Sequence, residues 1–181
     1  NLEKKVVIFV FLIFIIYYNP ISKNMKIKLL AIGKTDSKDL QALIEEYSKR
    51  LGFYVSFNFE IIPDIKNAKN LSEKQQKIAE GNELLKRIEK SDTMIILDEK
   101  GNTFSSVQFS EFLQKKMNSG LKNLIFIIGG PYGFSEEIYQ RATGKISLST
   151  MTFSHQMVRL FFIEQLYRGF TILKNEPYHH S

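Results

Sequence analysis

Three short segments hold the groups with which this sequence could do chemistry. They are the residues that follow Leu97, the run Gly129-Gly130-Pro131-Tyr132-Gly133, and Ser149-Thr150-Met151-Thr152-Phe153-Ser154 with His155 behind it. Gly129 and Gly130 let a ligand approach the main chain or let the chain take positive φ, and Pro131 stiffens the exit. A tight structural turn is the commoner use of such a run. The hydroxyls and amides of the third segment could bind a small polar ligand between walls supplied by Met151 and Phe153. They suit equally well a cap for a following helix. His155 fits a base, a ligand contact or a helix N-terminal residue. Arg159 and Arg168 are candidate forks for phosphate or carboxylate, although surface ion pairs more often explain such residues. The other histidines, His179 and His180, stand side by side near the end of the chain. Adjacent side chains diverge and no third ligand has suitable spacing, so no metal is expected.

Several chemistries are excluded by what is missing. Neither the dinucleotide fingerprint G-x-G-x-x-G nor the phosphate loop G-x-x-x-x-G-K-[ST] occurs, which argues against a conventional NAD enzyme or P-loop NTPase. A serine nucleophile lacks its G-x-S-x-G elbow. With no cysteine among 181 residues there is no disulfide scaffold, thiolate metal site or cysteine nucleophile, and a cytosolic protein fits best. The formal net charge of +6, with 15 Phe and 8 Tyr, permits an acidic partner such as RNA without requiring one.

The elements that must position these segments follow from periodicity. Residues 25–32 read as a buried first strand ended by Gly33. The apolar positions Leu40, Leu43, Ile44, Tyr47 and Leu51 recur at helical spacing, behind a cap at Asp36 or Ser37. Residues 54–62 alternate as a strand should, and Pro63 closes them. Ser72 followed by Gln75 resembles a capping box for a polar helix running to about Lys90, with one solvated face. Residues 93–97 and 124–128 are continuous apolar runs; Asp98 to Asn102 after the first has turn chemistry. Phe109, Phe112, Leu113 and Met117 define a helix between them. Ser135 caps a short helix, residues 145–148 form a last strand, and a mostly apolar helix covers about 156–173. Strands and helices therefore alternate, and central strands without polar alternation are covered on both faces. The expected fold is α/β, a mostly parallel sheet with helices on both faces. In such sheets ligands bind beyond the carboxyl ends of the strands, where all three segments fall.

Residues 1–24 differ in kind. An apolar run from Val6 to Tyr18 follows Lys4 and Lys5; it is shorter than a membrane span and matches a signal-peptide core without its cleavage site. The expectation is a hydrophobic N-terminal extension outside the fold, with a single domain over 25–181. A membrane anchor is the rival reading.

Leu97-Asp98, IIGGPYG (127–133), LSTMTFSHQMVR (148–159), EQLYRGF (164–170) and NEPYHH (175–180) occur together and in order. Taken together they resemble the SPOUT-class methyltransferases that modify N3 of a pseudouridine in large-subunit ribosomal RNA. The resemblance spans essentially all of residues 25–180. It implies a trefoil knot near the C-terminal end, S-adenosyl-L-methionine as methyl donor, and a homodimer with both sites at the subunit interface. It implies cofactor contacts from Leu97, Gly129, Leu148, Ser149, Thr150, Met151, Thr152 and Phe153. Handling of the N3 proton then falls to His155, Arg159, Tyr178, His179 or His180, with the tail expected to be ordered over the cofactor pocket. The RNA partner would be the large-subunit ribosomal RNA within the ribosome, with no DNA or metal. The alternatives are a similar methyltransferase of another RNA, a non-catalytic nucleotide-binding module, or a membrane-anchored interaction protein.

Overall fold

Strand β1 (Lys26–Ile32) sets the plan of the molecule, whose computed structural model describes residues 25–179. The expectations for residues 1–24 and for His180 lie outside the described residues. Ile27, Leu29 and Ala31 enter one hydrophobic cluster while Leu30 and Ile32 enter another, so both faces of β1 are covered. With β2 (Ser56–Ile62), β3 (Thr93–Thr103), β4 (Asn123–Ile128) and β5 (Gly144–Ser147) it forms a five-stranded sheet ordered β2-β1-β4-β3-β5. Every pairing is parallel, which refines the expectation of a mostly parallel sheet.

Parallel neighbours need crossovers, and the helices supply them: α1 (Lys38–Leu51), α2 (Glu73–Leu85), α3 (Ser106–Asn118) and α4 (Glu136–Arg141), with α5 (His155–Leu173) after the last strand. Ile44 and Leu51 of α1, Phe109, Leu113 and Met117 of α3, and Phe162, Ile163, Leu166 and Phe170 of α5 cover one face. Leu84 of α2 and Ile138 of α4 cover the other. Crossovers that step the chain one way along the sheet lie on one face, and those that return it lie on the opposite face. All the loops leaving the carboxyl ends of the strands therefore collect at one edge.

Local signals explain most boundaries. Ser72 with Gln75 and Ser105 with Gln108 form complete capping boxes, each satisfying two amides that a helix start leaves unpaired. Two expectations change. The polar helix ends at Leu85, short of Lys90. Asp98 to Asn102 is an irregularity inside β3: Ile146 of β5 pairs with both Leu97 and Asn102. Gly101 permits this bulge because a Cβ there would lie 2.5 Å from the Ile146 carbonyl carbon. The turn chemistry is present, since the Lys100 amide donates to Asp98 Oδ1 at 2.8 Å, but it bends a strand instead of ending one. Among the described residues, no helix is long and apolar enough to cross a membrane, and no cluster of three or more His, Cys, Asp or Glu could hold a metal.

Candidate functional site

Two adjoining cavities open at the carboxyl ends of β3, β4 and β5. The larger, about 670 Å3, is walled by Leu97 to Lys100, Ile128 to Phe134, Phe153 to His155, Val158, Lys77 and Tyr139. The smaller, about 150 Å3, continues from Leu97, Asp98 and Glu99 to Ile146 through Ser149, Met151, Thr152, Phe153 and Val158. Together they have the size of a small-molecule cofactor site. Apolar walls from Leu97, Ile128, Phe134 and Val158 are interleaved with backbone of the 129–133 and 148–153 segments, the pattern that suits a nucleoside with a polar tail.

Each segment is held by its own short-range chemistry. In the first, Asp98 spends one oxygen on the Lys100 amide and accepts with the other from the Tyr139 hydroxyl at 2.6 Å. This ties the β3 bulge to α4. Burial, and then the adjacent Asp98 carboxylate, push the Tyr139 phenol up to about 12, so at neutral pH it remains a proton donor. In the second, the Gly133 amide closes a turn onto the Gly130 carbonyl at 3.1 Å, with Gly133 at φ +81°, a conformation side chains disfavour. Ser135 stands at the N-cap of α4 but makes no side-chain cap bond, contrary to its expected role. In the third, the Met151 amide donates to Ser149 Oγ at 2.9 Å, Ser147 Oγ donates to the Ser149 carbonyl at 2.8 Å, and Ser154 caps α5 through the Met157 amide at 3.3 Å. Capping and cavity lining thus coexist in one segment.

The Tyr139 contact makes a prediction about pH. A phenol titrating near 10 when unfolded and near 12 when folded favours the folded state below pH 10, and that contribution disappears as pH rises from 10 to 12. Tyr139→Phe is expected to flatten the fall in stability over that window, read as melting temperature against pH. An unchanged slope would show that Tyr139 does not carry it.

Of the residues singled out by sequence, Leu97, Gly129, Leu148, Ser149, Met151, Thr152, Phe153 and His155 line the two cavities. Thr150, in the same segment, is exposed and lines neither. Arg159 is corrected: it is neither a surface ion pair nor an open fork, but a fully buried side chain. Its Nη1 donates to Thr35 Oγ1 and its Nη2 to the Ile32 carbonyl, both at 2.7 Å. The helical period turns position 159 toward the end of β1, so the guanidinium fastens α5 to the β1–α1 loop. Burial lowers its pKa, and Asp64 and Asp36 act in the opposite sense. Gln156 reinforces the fastening by accepting from the Asp36 amide at 2.9 Å and donating to Asp36 Oδ2 at 2.8 Å. Arg168 does make an ordinary ion pair, with Glu164 at 2.7 Å.

The described part of the tail, residues 175–179, packs on α1 and α5 and lines neither cavity of its own chain. The Tyr178 hydroxyl lies 3.1 Å from that of Tyr47 and donates to Glu164 Oε1 at 3.0 Å. Its ring meets Tyr167 edge-on at 4.8 Å and lies under the Arg168 guanidinium at 4.7 Å. An aromatic contact surface on α1 and α5 holds it, and that surface could not be read before helix packing was known. His179 is half-buried, with Nδ1 unpartnered. Sequence reasoning missed Lys77 and Tyr139 as wall residues, because each comes from a helix whose visible signal is amphipathicity alone.

The chain is similar to known proteins over the whole of the described residues. The family model described as "Predicted SPOUT methyltransferase" matches residues 25–179. The ribosomal RNA large subunit methyltransferase H of Flavobacterium johnsoniae is 72% identical over 157 residues, 87% of this chain and 100% of that protein. The same-named protein of Porphyromonas gingivalis strain W83 is 57% identical over 157 residues, with the same coverage. Among solved structures, the SpoU methyltransferase AviRb from Streptomyces viridochromogenes, in complex with AdoMet, is 10% identical with a TM-score of 0.41. The match covers 82% of this chain and 62% of that one.

Proposed function

The chain belongs to the SPOUT methyltransferase family, and from that premise we propose that it transfers the methyl group of S-adenosyl-L-methionine to N3 of a pseudouridine in large-subunit ribosomal RNA. The observation that carries this reading is the convergence of three family segments on adjoining cavities of about 670 and 150 Å3. Their donor set fits the cofactor: backbone groups of the 129–133 and 148–153 segments for its polar atoms, and Leu97, Ile128, Phe134 and Val158 for an adenine ring. When bound, S-adenosyl-L-methionine supplies a methyl carbon already activated by a sulfonium. The protein's task is then chiefly to hold nucleobase and donor in line, where orientation alone removes a large part of a barrier.

The remaining task is to take the proton from N3. His155, at the first turn of α5 on the cavity wall, would accept it, since an imidazole nitrogen can act as a base. Tyr178, His179 and His180 would complete the site from the partner of a homodimer. Two observations support that assembly. Among the described residues the tail does not line its own cavity, and Val107, Met151, Phe153 and Phe161 are exposed apolar side chains, of which Phe153 and Phe161 line a further cleft of about 390 Å3. Contiguous apolar surface of this kind marks association sites.

The trefoil knot belongs to the same proposal. It is supported by membership of the family, whose model matches residues 25–179. The described residues form one layered sheet with its helices, and substrate recognition would use the surface of the dimer. Lysines and arginines there supply salt-sensitive affinity, and the shape of the ribosomal target supplies specificity. Such an enzyme works in the cytoplasm.

The test is transfer of a labelled methyl group from S-adenosyl-L-methionine to ribosomes lacking the modification. We expect label on a large-subunit pseudouridine, at equal rates for the full chain and for a chain starting at Met25 if residues 1–24 stand outside the fold. Label on another RNA would redirect the substrate assignment. Cofactor binding with no transfer to any RNA would favour a non-catalytic nucleotide-binding module.

A further inference from the structure

Beneath the 129–133 segment lies a carboxylate that the proposed reaction does not use. Glu80, on the inner side of α2, is 3% exposed, and no ion pair reaches it among the described residues. Gln76 Nε2 donates to its Oε1 at 2.8 Å, whereas Oε2 has no hydrogen-bond partner. A buried, unpaired carboxylate costs several kcal/mol relative to an apolar side chain of similar size. The sequence of α2 offers no local reason for it.

Its surroundings offer one. A Cβ added to Gly130 would lie 2.6 Å from Glu80 Oε1 and 2.7 Å from Cδ, so the backbone of the cofactor segment rests against the carboxylate with no room for a side chain. The next residue of the helix repeats the arrangement: a Cβ on Gly81 would lie 2.6 Å from Ser135 Oγ. Two successive positions of α2 are thus fitted to the two ends of one loop. Burial, the largest influence, holds the Glu80 carboxyl above the usual carboxylate range and Asp64 adds to it, while Gln76 and, least, the Gly130 backbone act in the opposite direction.

We propose that Glu80 is a positioning residue for the cofactor segment: its buried carboxyl group fills the space beneath Gly130, with the unpartnered Oε2 turned to that backbone, and thereby fixes the 129–133 turn at the mouth of the larger cavity. The role rests on the methyltransferase reading given above. A carboxylate suits it better than an amide, because it has two acceptor oxygens: one receives Gln76 and the other is left facing Gly130. Glutamine has one acceptor and would turn its NH2 toward one of two donors. The expected consequence is confined to the cofactor. Ribosome binding and overall stability do not depend on the Gly130 amide.

The experiment uses the full chain, isotope-labelled, with S-adenosyl-L-methionine itself as the probe. In Glu80→Gln the Gly130 amide proton should move upfield in the NMR spectrum. Calorimetric Kd for the cofactor should rise about tenfold, the size of one weakened contact to a charged group, while KM for the ribosome and the melting temperature stay near wild type. Gly130→Ala, which drives a methyl group into the same carboxylate from the other side, should weaken cofactor binding by a similar factor. It also covers the case in which Glu80→Gln fails to fold. Unchanged cofactor affinity in a folded variant, or a Gly130 amide indifferent to the substitution, overturns the proposal while the methyltransferase reading stands. A wild-type chain that binds no S-adenosyl-L-methionine overturns both, whatever the amide shift.

Discussion

Deleting residues 177–181 is expected to lower methyl transfer by at least about a hundredfold, the low end of what a proton-handling group contributes, while cofactor affinity stays within about threefold. The split follows from where the tail is. Tyr178 packs on Tyr47, Glu164 and Tyr167, so in the proposed dimer the deletion removes the partner's proton-handling groups while the 129–133 and 148–153 segments that would hold the cofactor stay in place. The lost hydroxyl and ring contacts cost about 1–2 kcal/mol, a fall of only a few degrees in melting temperature for a domain of this size. A mixing experiment separates the two routes to inactivity. Tail-deleted subunits combined with subunits blocked in the cavity by Gly129→Val should regain roughly a quarter of wild-type rate, because half the dimers would then carry one complete site. No recovery would confine the tail to its own subunit. Full activity of the deleted chain would remove the tail from the mechanism.

Arg159→Met is expected to be the most damaging single substitution for stability among those considered, costing about 2–4 kcal/mol. Methionine fills much of the volume but leaves the Ile32 carbonyl and Thr35 Oγ1, both buried beside it, without their donor. It also removes the cation that faces Asp36 and Asp64. For a domain of this length the melting temperature should fall by roughly 5–12 °C. Function should suffer beyond stability, since the first turn of α5 carries Ser154 and His155 into the cavity wall, and Arg159 is what fastens that turn to the end of β1. Thermal denaturation with calorimetric cofactor titration checks both. A variant that melts like wild type would show that the guanidinium is replaceable by packing alone.

The layered fold and the location of the site were legible because each depends on short-range pattern. Continuous apolar runs at 93–97 and 124–128 can be buried only on both faces, and the loops leaving such strands converge whatever the details. What escaped depended on tertiary context. Arg159 sits in a mostly apolar helix, where charge alone suggested the surface; only the approach of β1 and Thr35 gives its two terminal nitrogens acceptors in the interior. Glu80 lies in a helix whose polarity promised a solvated face, and its burial is set by a loop fifty residues later in the chain. The bulge in β3 was visible as turn residues, but whether turn chemistry ends a strand or bends it is decided by the neighbour, here Ile146.

The strand order has a consequence for how the molecule comes into being. β4 lies at the middle of the sheet, between β1 and β3, yet it is the fourth strand to be synthesised. Until residue 128 has left the ribosome, the β1–β2 pair and β3 have no common neighbour, and each offers an open apolar edge. Contacts of such long sequence separation form slowly because loop-closure entropy must be met before they are made. The walls of the cavity come together later still, since the 148–155 segment and α5 must join a sheet that is already zipped through its centre. A nascent chain stalled before residue 123 should therefore be the species most exposed to aggregation.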